Sequence, residues 1–415
     1  MKGAPKVLEV RVTPIAFPDP PLLTASGVHQ PWALRTIVEV DCGDGLIGLG
    51  ETYGDAPHLA LLRRTAPLLI GLDPFDTNGL AHRVQQTTAG ADAPDKHGLT
   101  GPSSAEKTAL RVLSPFEVAF LDLQGRIIDR PVVDLLGGKV RDRVPFSAYL
   151  FYKWTGDDPY GEATTPSEMV SQAKALVAKY GFKSLKLKGG VLPPDEEVAA
   201  VHALRDAFPG YPLRLDPNAV WTVPTSIRVA QQTDGLLEYL EDPTRGQANM
   251  AAVAKEAPMP LATNMCVVKP EDVAPAFESR AVSIVLSDHH YWGGLRRSAE
   301  LAAICRTWGV GISMHSNSHL GISLAAMTHL GGALAELTYA ADTHTPWQLG
   351  VDVLEQPLSI VDGAVTVPSA PGLGVTLDRD ALARMHEDYE ACGIRERDDT
   401  GEMRKFKPGW QRPQW

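Results

Sequence analysis

The sequence predicts an α+β domain followed by a (β/α) barrel. Three observations carry this. The first 142 residues read as strands and then helices. From Arg143 onward, eight short strand candidates recur at a spacing of roughly 20–30 residues, most of them separated by helical patterns. Nearly every one of those strands ends on an ionisable or amide side chain.

In the first part, Val7 to Phe17 alternates apolar and polar residues as a half-buried strand does. Thr36 to Asp41 and Leu46 to Glu51 do so again around a Gly43-Asp44-Gly45 turn, which makes a meander. The loop from Ser26 to Pro31 carries His29. Ala56 to Leu69 and Phe75 to Thr87 read as helices, and the Gly/Ala/Asp/Pro-rich stretch Ala89 to Ser104 reads as a mobile loop. Pro115 to Ile128 reads as a strongly apolar helix.

The eight barrel strands are VPFSAYLF, SLKLK, LRLDP, LLEYLED, PLATNM, AVSIVLSD, GVGISMHS and YAADTH. The second is the most informative. Alternation puts Lys186 and Lys188 on one face and Leu185 and Leu187 on the other. Two ammonium groups on one buried face repel each other and are costly to desolvate, which suits a lysine base with a lowered pKa. An edge strand with two solvated lysines is the plain alternative. The tail from Gly393 to Trp415 is charged and aromatic; it reads either as a disordered end or, through Trp410 and Trp415, as a segment that docks.

Barrel chemistry sits at the C-terminal ends of the strands. There the sequence offers Lys186 and Lys188, Asp216 and Asn218, Glu241, Asn264, Asp288, His315 with Ser316 and Asn317, and Asp342 with His344. Asp216, Glu241 and Asn264 are hard oxygen ligands from three consecutive strands, the class that binds Mg2+. No Cys or His cluster competes for zinc. Asp288 can orient His315 as a carboxylate orients a catalytic imidazole. A divalent ion with a Lys base and a His base on opposite faces suits proton removal α to a carboxylate.

Composition narrows the partners. The chain has 415 residues, 44% hydrophobic and 21% charged, so it has ample core for two domains. A net charge of −11 argues against nucleic acid or an anionic membrane. No run of 18 apolar residues predicts a membrane span, and no secretory signal is evident. Cys42, Cys266, Cys305 and Cys392 are scattered, as in a reduced, cytoplasmic protein.

In ordered pieces the chain resembles the glucarate dehydratase family, in the mandelate racemase-like branch of the enolase superfamily. The pieces are SGVHQP (26–31), AYLF (148–151), KLKGGVLP (186–193), LDPNAVW (215–221), YLEDP (239–243), ATNM (262–265), SDHHYW (287–292), HSNSHLGISL (315–324), DTH (342–344), and RDD with PGW (397–399 and 408–410). The resemblance implies a modified (β/α)7β TIM-type barrel over residues 143–390. A capping domain over 1–142 would be completed by the tail, 391–415, packing back on cap and site. It implies that Lys188 is one base, with Lys186 lowering its pKa and touching the substrate carboxylate. His315, paired with Asp288, would be the other base and the acid that expels the β-hydroxyl. Asp216, Glu241 and Asn264 would bind Mg2+. His29, Tyr149, Asn218, Asn264, Ser316, Asn317, His344 and Arg397 would contact a sugar diacid, with Arg397 suited to the distal carboxylate. A homo-oligomer is implied as well.

The implied reaction is dehydration of D-glucarate, and of L-idarate, to 5-keto-4-deoxy-D-glucarate. The alternatives are a dehydratase of another aldarate or aldonate, an epimerase or racemase, and a catalytically silent binder of sugar acids. Departures from the family pattern bear on specificity: Thr24 and Ser318 stand where the family has Asn, the segment between Glu241 and Asn264 is short, and residues 89–107 match little.

Overall fold

The computed structural model describes residues 5–90 and 104–415. Strands β1 (Glu9–Pro18), β2 (Leu23–Thr24), β3 (Gly27–Val28), β4 (Trp32–Asp41) and β5 (Ile47–Tyr53) open the chain. β1, β4 and β5 form the expected antiparallel meander, with Glu9 opposite Asp41 and Pro18 opposite Trp32. β2 and β3 add a small hairpin just before His29.

Helix α1 (Ala56–Thr65) stops short of the expected Leu69: residues 66–69 tighten into a 3-10 turn around Pro67, which has no N–H to continue the α pattern. Helix α2 (Thr77–Thr88) starts after Phe75, because Asp76 caps it by accepting the Gly79 N–H at 2.8 Å. Most of the stretch expected to be a mobile loop lies outside the described residues. Helix α3 (Ala105–Ile128) begins ten residues before the expected Pro115, capped by Ser104, which accepts the Lys107 N–H at 3.2 Å. Pro115 therefore sits inside the helix, where burial of Val112, Phe116, Ala119 and Phe120 against the sheet outweighs the missing hydrogen bond. β5 meets this helix backbone to backbone. A Cβ on Gly50 would lie 2.0 Å from Pro115 O, so only glycine allows the approach.

After the short helix α4 (Val132–Leu135) and strand β6 (Arg143–Pro145), seven parallel strands pair in chain order. They are β7 (Ala148–Phe151), β8 (Leu185–Lys188), β9 (Leu213–Asp216), β10 (Tyr239–Glu241), β11 (Leu261–Thr263), β12 (Ile284–Ser287) and β13 (Gly311–Met314). Between or beyond them run α5 (Pro166–Tyr180), α6 (Pro194–Ala207), α7 (Val223–Gln232), α8 (Gln247–Ala254), α9 (Pro270–Glu278), α10 (His289–Trp292), α11 (Leu295–Trp308) and α12 (Gly321–Ala333). The eighth expected strand, YAADTH, is reduced to single bridges. Phe146 pairs with Ala341 and Ile312 with Leu337, and the Asp342 N–H donates to Met314 O at 2.8 Å. These contacts span the gap between β7 and β13 and curl the sheet into a barrel.

Strand β14 (Ala364–Thr366) returns to pair with β6. Helix α13 (Arg379–Cys392) then packs on the opening sheet. Tyr389 meets Ala16 and Leu59, and His386 Nδ1 donates to Pro14 O at 2.7 Å. The sequence reading carries the barrel segment to residue 390, but the return to the capping layer starts with α13. The tail is no loose end. After the Arg397 N–H donates to Asp55 Oδ1 (2.8 Å), α14 (Asp399–Phe406) follows, with Thr400 Oγ1 donating to Ser26 O (2.7 Å). Trp415 pairs through its backbone with Val220 and Thr222. Among the described residues no helix is long and apolar enough to cross a membrane.

Candidate active site

β8 puts Lys186 and Lys188 on the barrel interior, as its alternation requires, and both are buried. Lys186 Nζ lies 2.8 Å from Glu241 Oε1 and 2.7 Å from Asp342 Oδ2. Lys188 Nζ lies 2.6 Å from Asp216 Oδ2. Two ammonium groups thus face three carboxyl groups. Burial disfavours charge on both lysines, yet their carboxylate partners win and hold both above the ordinary lysine range. Lys186 does pull Lys188 down, as two like charges on one face should, but Asp216 outweighs it. Burial drives Glu241 well above the usual carboxylate range, with Asp216 and Asp342 adding to the effect. For Asp216, burial is overcome by the two lysines and the carboxyl is lowered.

The loop after Lys188 is held from below. Glu197, buried on α6, accepts the N–H groups of Gly190, Val191 and Leu192 at 2.9, 2.8 and 3.0 Å. Gly190 has φ +75°, and a Cβ there would lie 2.2 Å from Pro217 O. In sequence, Glu197 looks like any acid in a first helical turn, so nothing marks this role.

Asp216, Glu241 and Asn264 come from the ends of adjacent strands β9, β10 and β11. Asp242 sets Asn264 in place, accepting its N–H at 2.8 Å and the Thr263 hydroxyl at 2.6 Å. Asn264 Oδ1 is buried and accepts no hydrogen bond. Glu241 Oε2 is ion-paired with Lys186 Nζ at 2.7 Å without meeting it at hydrogen-bond angles. An all-oxygen donor set whose Asn264 Oδ1 is buried and unpartnered fits a hard divalent cation. One His-containing cluster was not foreseen. Asp288, His289 and His290 bring ligand-type atoms within 4.8 Å of one another. Asp288 and His290, however, are already bonded to each other and Asp288 to His315.

His315, after β13, donates from Nδ1 to Asp288 Oδ2 at 2.9 Å. Asp288 Oδ1 accepts the backbone N–H of His290 (2.9 Å) and its Nδ1–H (2.8 Å). Burial alone would raise Asp288, but the two imidazoles hold it well below the usual carboxylate range. The His315 ring lies roughly parallel to that of Tyr291, 20° between planes with centroids 6.2 Å apart.

One cavity gathers Lys188 and His315 with all eight residues expected to contact substrate. Within it, His29 donates to Asp19 at 3.0 Å and Ser316 Oγ lies 3.3 Å from His344 Nδ1. Burial, then His29, keeps His344 well below the ordinary histidine range. Tyr149 packs edge-on against His344, and Phe151 meets it at a tilt of 50°. Asn218 is left-handed at φ 55°. Thr24, Met265 and Tyr291 also line the cavity. Three expectations about these residues are modified. Lys188 is held above rather than below the ordinary lysine range, because Asp216 outweighs Lys186. Lys186 lies beneath the cavity rather than on its wall, because Glu241 and Asp342 hold it down. Arg397 lines the wall, but its Nε and Nη2 are already paired with Asp399, at 3.0 and 2.8 Å.

Comparison with known proteins agrees with this architecture. Residues 7–137 match the mandelate racemase/muconate lactonizing enzyme N-terminal domain, and residues 168–381 match the enolase C-terminal domain-like family. A probable glucarate dehydratase from Streptomyces coelicolor is 51% identical over 98% of this chain and 97% of its own length. An enolase from Thermobispora bispora, crystallised with magnesium and formate, is 61% identical over 99% of both chains, with a TM-score of 0.97. Another from Pseudomonas fluorescens, with bound magnesium, potassium and tartrate, is 51% identical over 99% of this chain and 98% of its own, with a TM-score of 0.95.

Proposed function

The chain belongs to the enolase superfamily, in the group of mandelate racemase and muconate lactonizing enzyme. From that premise we propose that it is a hydro-lyase, an acid-sugar dehydratase that converts D-glucarate, and its epimer L-idarate, to 5-keto-4-deoxy-D-glucarate. One observation carries the reading: a lysine and a carboxylate-held histidine, from β8 and β13, border one cavity that Asn264 also lines, with Asp216 bonded to that lysine.

Asp216, Glu241 and Asn264 would hold Mg2+, which supplies positive charge for the enediolate. The neutral Asn264 leaves more of that charge for a dianionic substrate. Lys188 moves the α-proton on one face of the carbon. His315 works from Nε2 on the other, since its Nδ1–H is committed to Asp288. As the α-C–H bond breaks, the electron pair forms the enediolate. That pair then expels the β-hydroxyl, which leaves as water with a proton from His315, and the enol becomes the ketone. Lys186 sets the charge beneath the site. His29, Tyr149, Asn218, Ser316, Asn317, His344 and Arg397 orient the acid sugar, with Arg397 exchanging part of its Asp399 pairing for the distal carboxylate. The glucarate dehydratase assignment of the Streptomyces relative and the diacid tartrate in the Pseudomonas neighbour support the substrate class.

The test is an α-keto acid assay with and without Mg2+ on D-glucarate, L-idarate, galactarate and aldonates. Metal-dependent keto acid from glucarate and idarate is expected. Keto acid from another sugar alone would move the substrate and point to Thr24. Absence of keto acid with α-proton exchange in D2O would make the enzyme an epimerase. Absence of both would sink the enzymatic reading.

A further inference from the structure

Behind His315 lies a chain of side chains that the reaction above does not use. Arg35, on β4 of the cap, is 1% exposed. Its Nε donates to Glu51 on β5 at 2.9 Å, and its Nη2 lies 2.9 Å from His290 Nε2 on the barrel. A guanidinium has only donors, so His290 Nε2 must be the acceptor. The single ring proton of His290 is then on Nδ1, where it donates to Asp288 Oδ1 at 2.8 Å. Ser323 Oγ, 3.0 Å from the same Nε2, completes the lock. Glu51 is fixed in turn by the N–H groups of Leu320 and Ser323, at 2.7 and 2.9 Å. Arg35 Nη1 also donates to Asn317 Oδ1 at 3.2 Å, and Asn317 lines the substrate cavity.

We propose that Arg35 and His290 are positioning residues for the His315–Asp288 pair, with Arg35 dictating which nitrogen of His290 carries the proton. With His290 donating, Asp288 takes hydrogen bonds on both oxygens and stays a carboxylate acceptor toward His315. His315 is then confined to the tautomer whose Nε2 faces substrate. Were Arg35 lost, His290 could place its proton on Nε2 toward Ser323. Its Nδ1 lone pair would then face Asp288 Oδ1, and the carboxylate would turn away from His315. The capping domain would thus act on the barrel's base through one guanidinium. This rests on the reading of His315 as base and acid.

Two measurements test it. The first is imidazole 15N NMR of the full-length, substrate-free protein, with the His290 signal assigned by its loss in His290→Asn. The wild type should show His290 protonated on Nδ1. Arg35→Met paired with Glu51→Gln, so that no lone carboxylate is left buried, should move His290 to the neutral Nε2–H form. The second is a double-mutant cycle on turnover. Asparagine offers a side-chain N–H2 where Nδ1–H stands and has no ring tautomer to choose. The Arg35→Met/Glu51→Gln pair should therefore lower kcat on the order of 10- to 100-fold in the wild type but less than about 3-fold in the His290→Asn background, while any rise in KM through Asn317 is the same in both. An equal loss in both backgrounds would make Arg35 a brace between domains and overturn the proposal. So would a His290 that keeps its Nδ1 proton without Arg35. The NMR needs no substrate, so failure of the dehydration reading (no keto acid from the wild type) is seen separately.

Discussion

The Glu197→Gln substitution probes the support beneath the lysine base without touching the cavity. Glu197 accepts three backbone N–H groups, Gly190 on Oε2 and Val191 and Leu192 on Oε1. These fix the turn that begins two residues after Lys188. Glutamine has the same shape but only one acceptor oxygen. If that oxygen stays on Val191 and Leu192, the Gly190 N–H meets an amide N–H2. One charge-assisted bond is lost, about 1.5–3 kcal/mol, and the other two fall to neutral strength. The sum is roughly 3.5–6 kcal/mol where Glu197 is ionised, and burial, which raises it to about 7, places that full loss above pH 7. Gly190 is already held at φ +75° against Pro217, so the freed turn relaxes and carries Lys188 with it. A displacement near 1 Å at a reacting group costs on the order of 100-fold in rate. The expected variant has a lower urea midpoint, monitored by tryptophan fluorescence, and kcat reduced about 10- to 100-fold with KM within a few-fold. Wild-type kcat together with a wild-type midpoint would refute the idea that this carboxylate holds the base in register.

Lys188→Ala and His315→Ala should each lower kcat by roughly 10²–10⁴-fold while far-UV circular dichroism stays unchanged; a wild-type rate in either would remove that residue from the mechanism. His329 on α12 is buried, accepts the Val133 N–H at 3.1 Å and donates to Leu373 O at 3.1 Å, and burial lowers it to about 4. Its folded pKa lies below the unfolded value of about 6.5, so its stabilisation is full above pH 6.5 and is lost as pH falls through 4. The shift is worth about 3 kcal/mol. Urea titrations across that window should show this loss in the wild type and not in His329→Gln. Gly50→Ala puts a methyl 2.0 Å from Pro115 O, a backbone atom that cannot swing aside, and should cost about 1–3 kcal/mol or more in unfolding free energy. Chelation should abolish keto acid formation, and Asn264→Ala should raise the Mg2+ concentration needed to restore it; activity that is indifferent to chelator would rule out the oxygen trio as a metal site.

What could be read from sequence was what repeats locally. The barrel strands are legible from strand patterns alternating with helical ones every 20–30 residues or so, and the face shared by Lys186 and Lys188 is fixed by the pleat alone. What escaped depends on distant pairings. Asp342 and Glu241 pull Lys186 under the cavity floor, and Asp216 rather than Lys186 sets the charge on Lys188. Arg35 and His290 are 255 residues apart, and neither looks unusual in its own segment. Asp399 sits two residues from Arg397 in a tail whose path no periodicity reveals. The strongly apolar run begins at Pro115, so the sequence places the helix start there, whereas Ser104 caps the helix and its buried face carries the proline along.

The opening sheet is covered by a helix that arrives very late. The side of β1 that bears Ala16 waits for Tyr389 of α13. Strand and helix are separated by about 360 residues, some 20–70 s of ribosomal elongation at about 5–20 residues per second. For that interval the nascent chain must expose an apolar strand surface with its neighbours Val12, Trp32 and Leu34 unsheltered. Stalled nascent chains released before residue 379 should therefore be held by chaperones or cleaved within the opening sheet, and those extended past residue 392 should resist. The enzyme's birth, rather than its equilibrium stability, would then govern how much of it a cell can make.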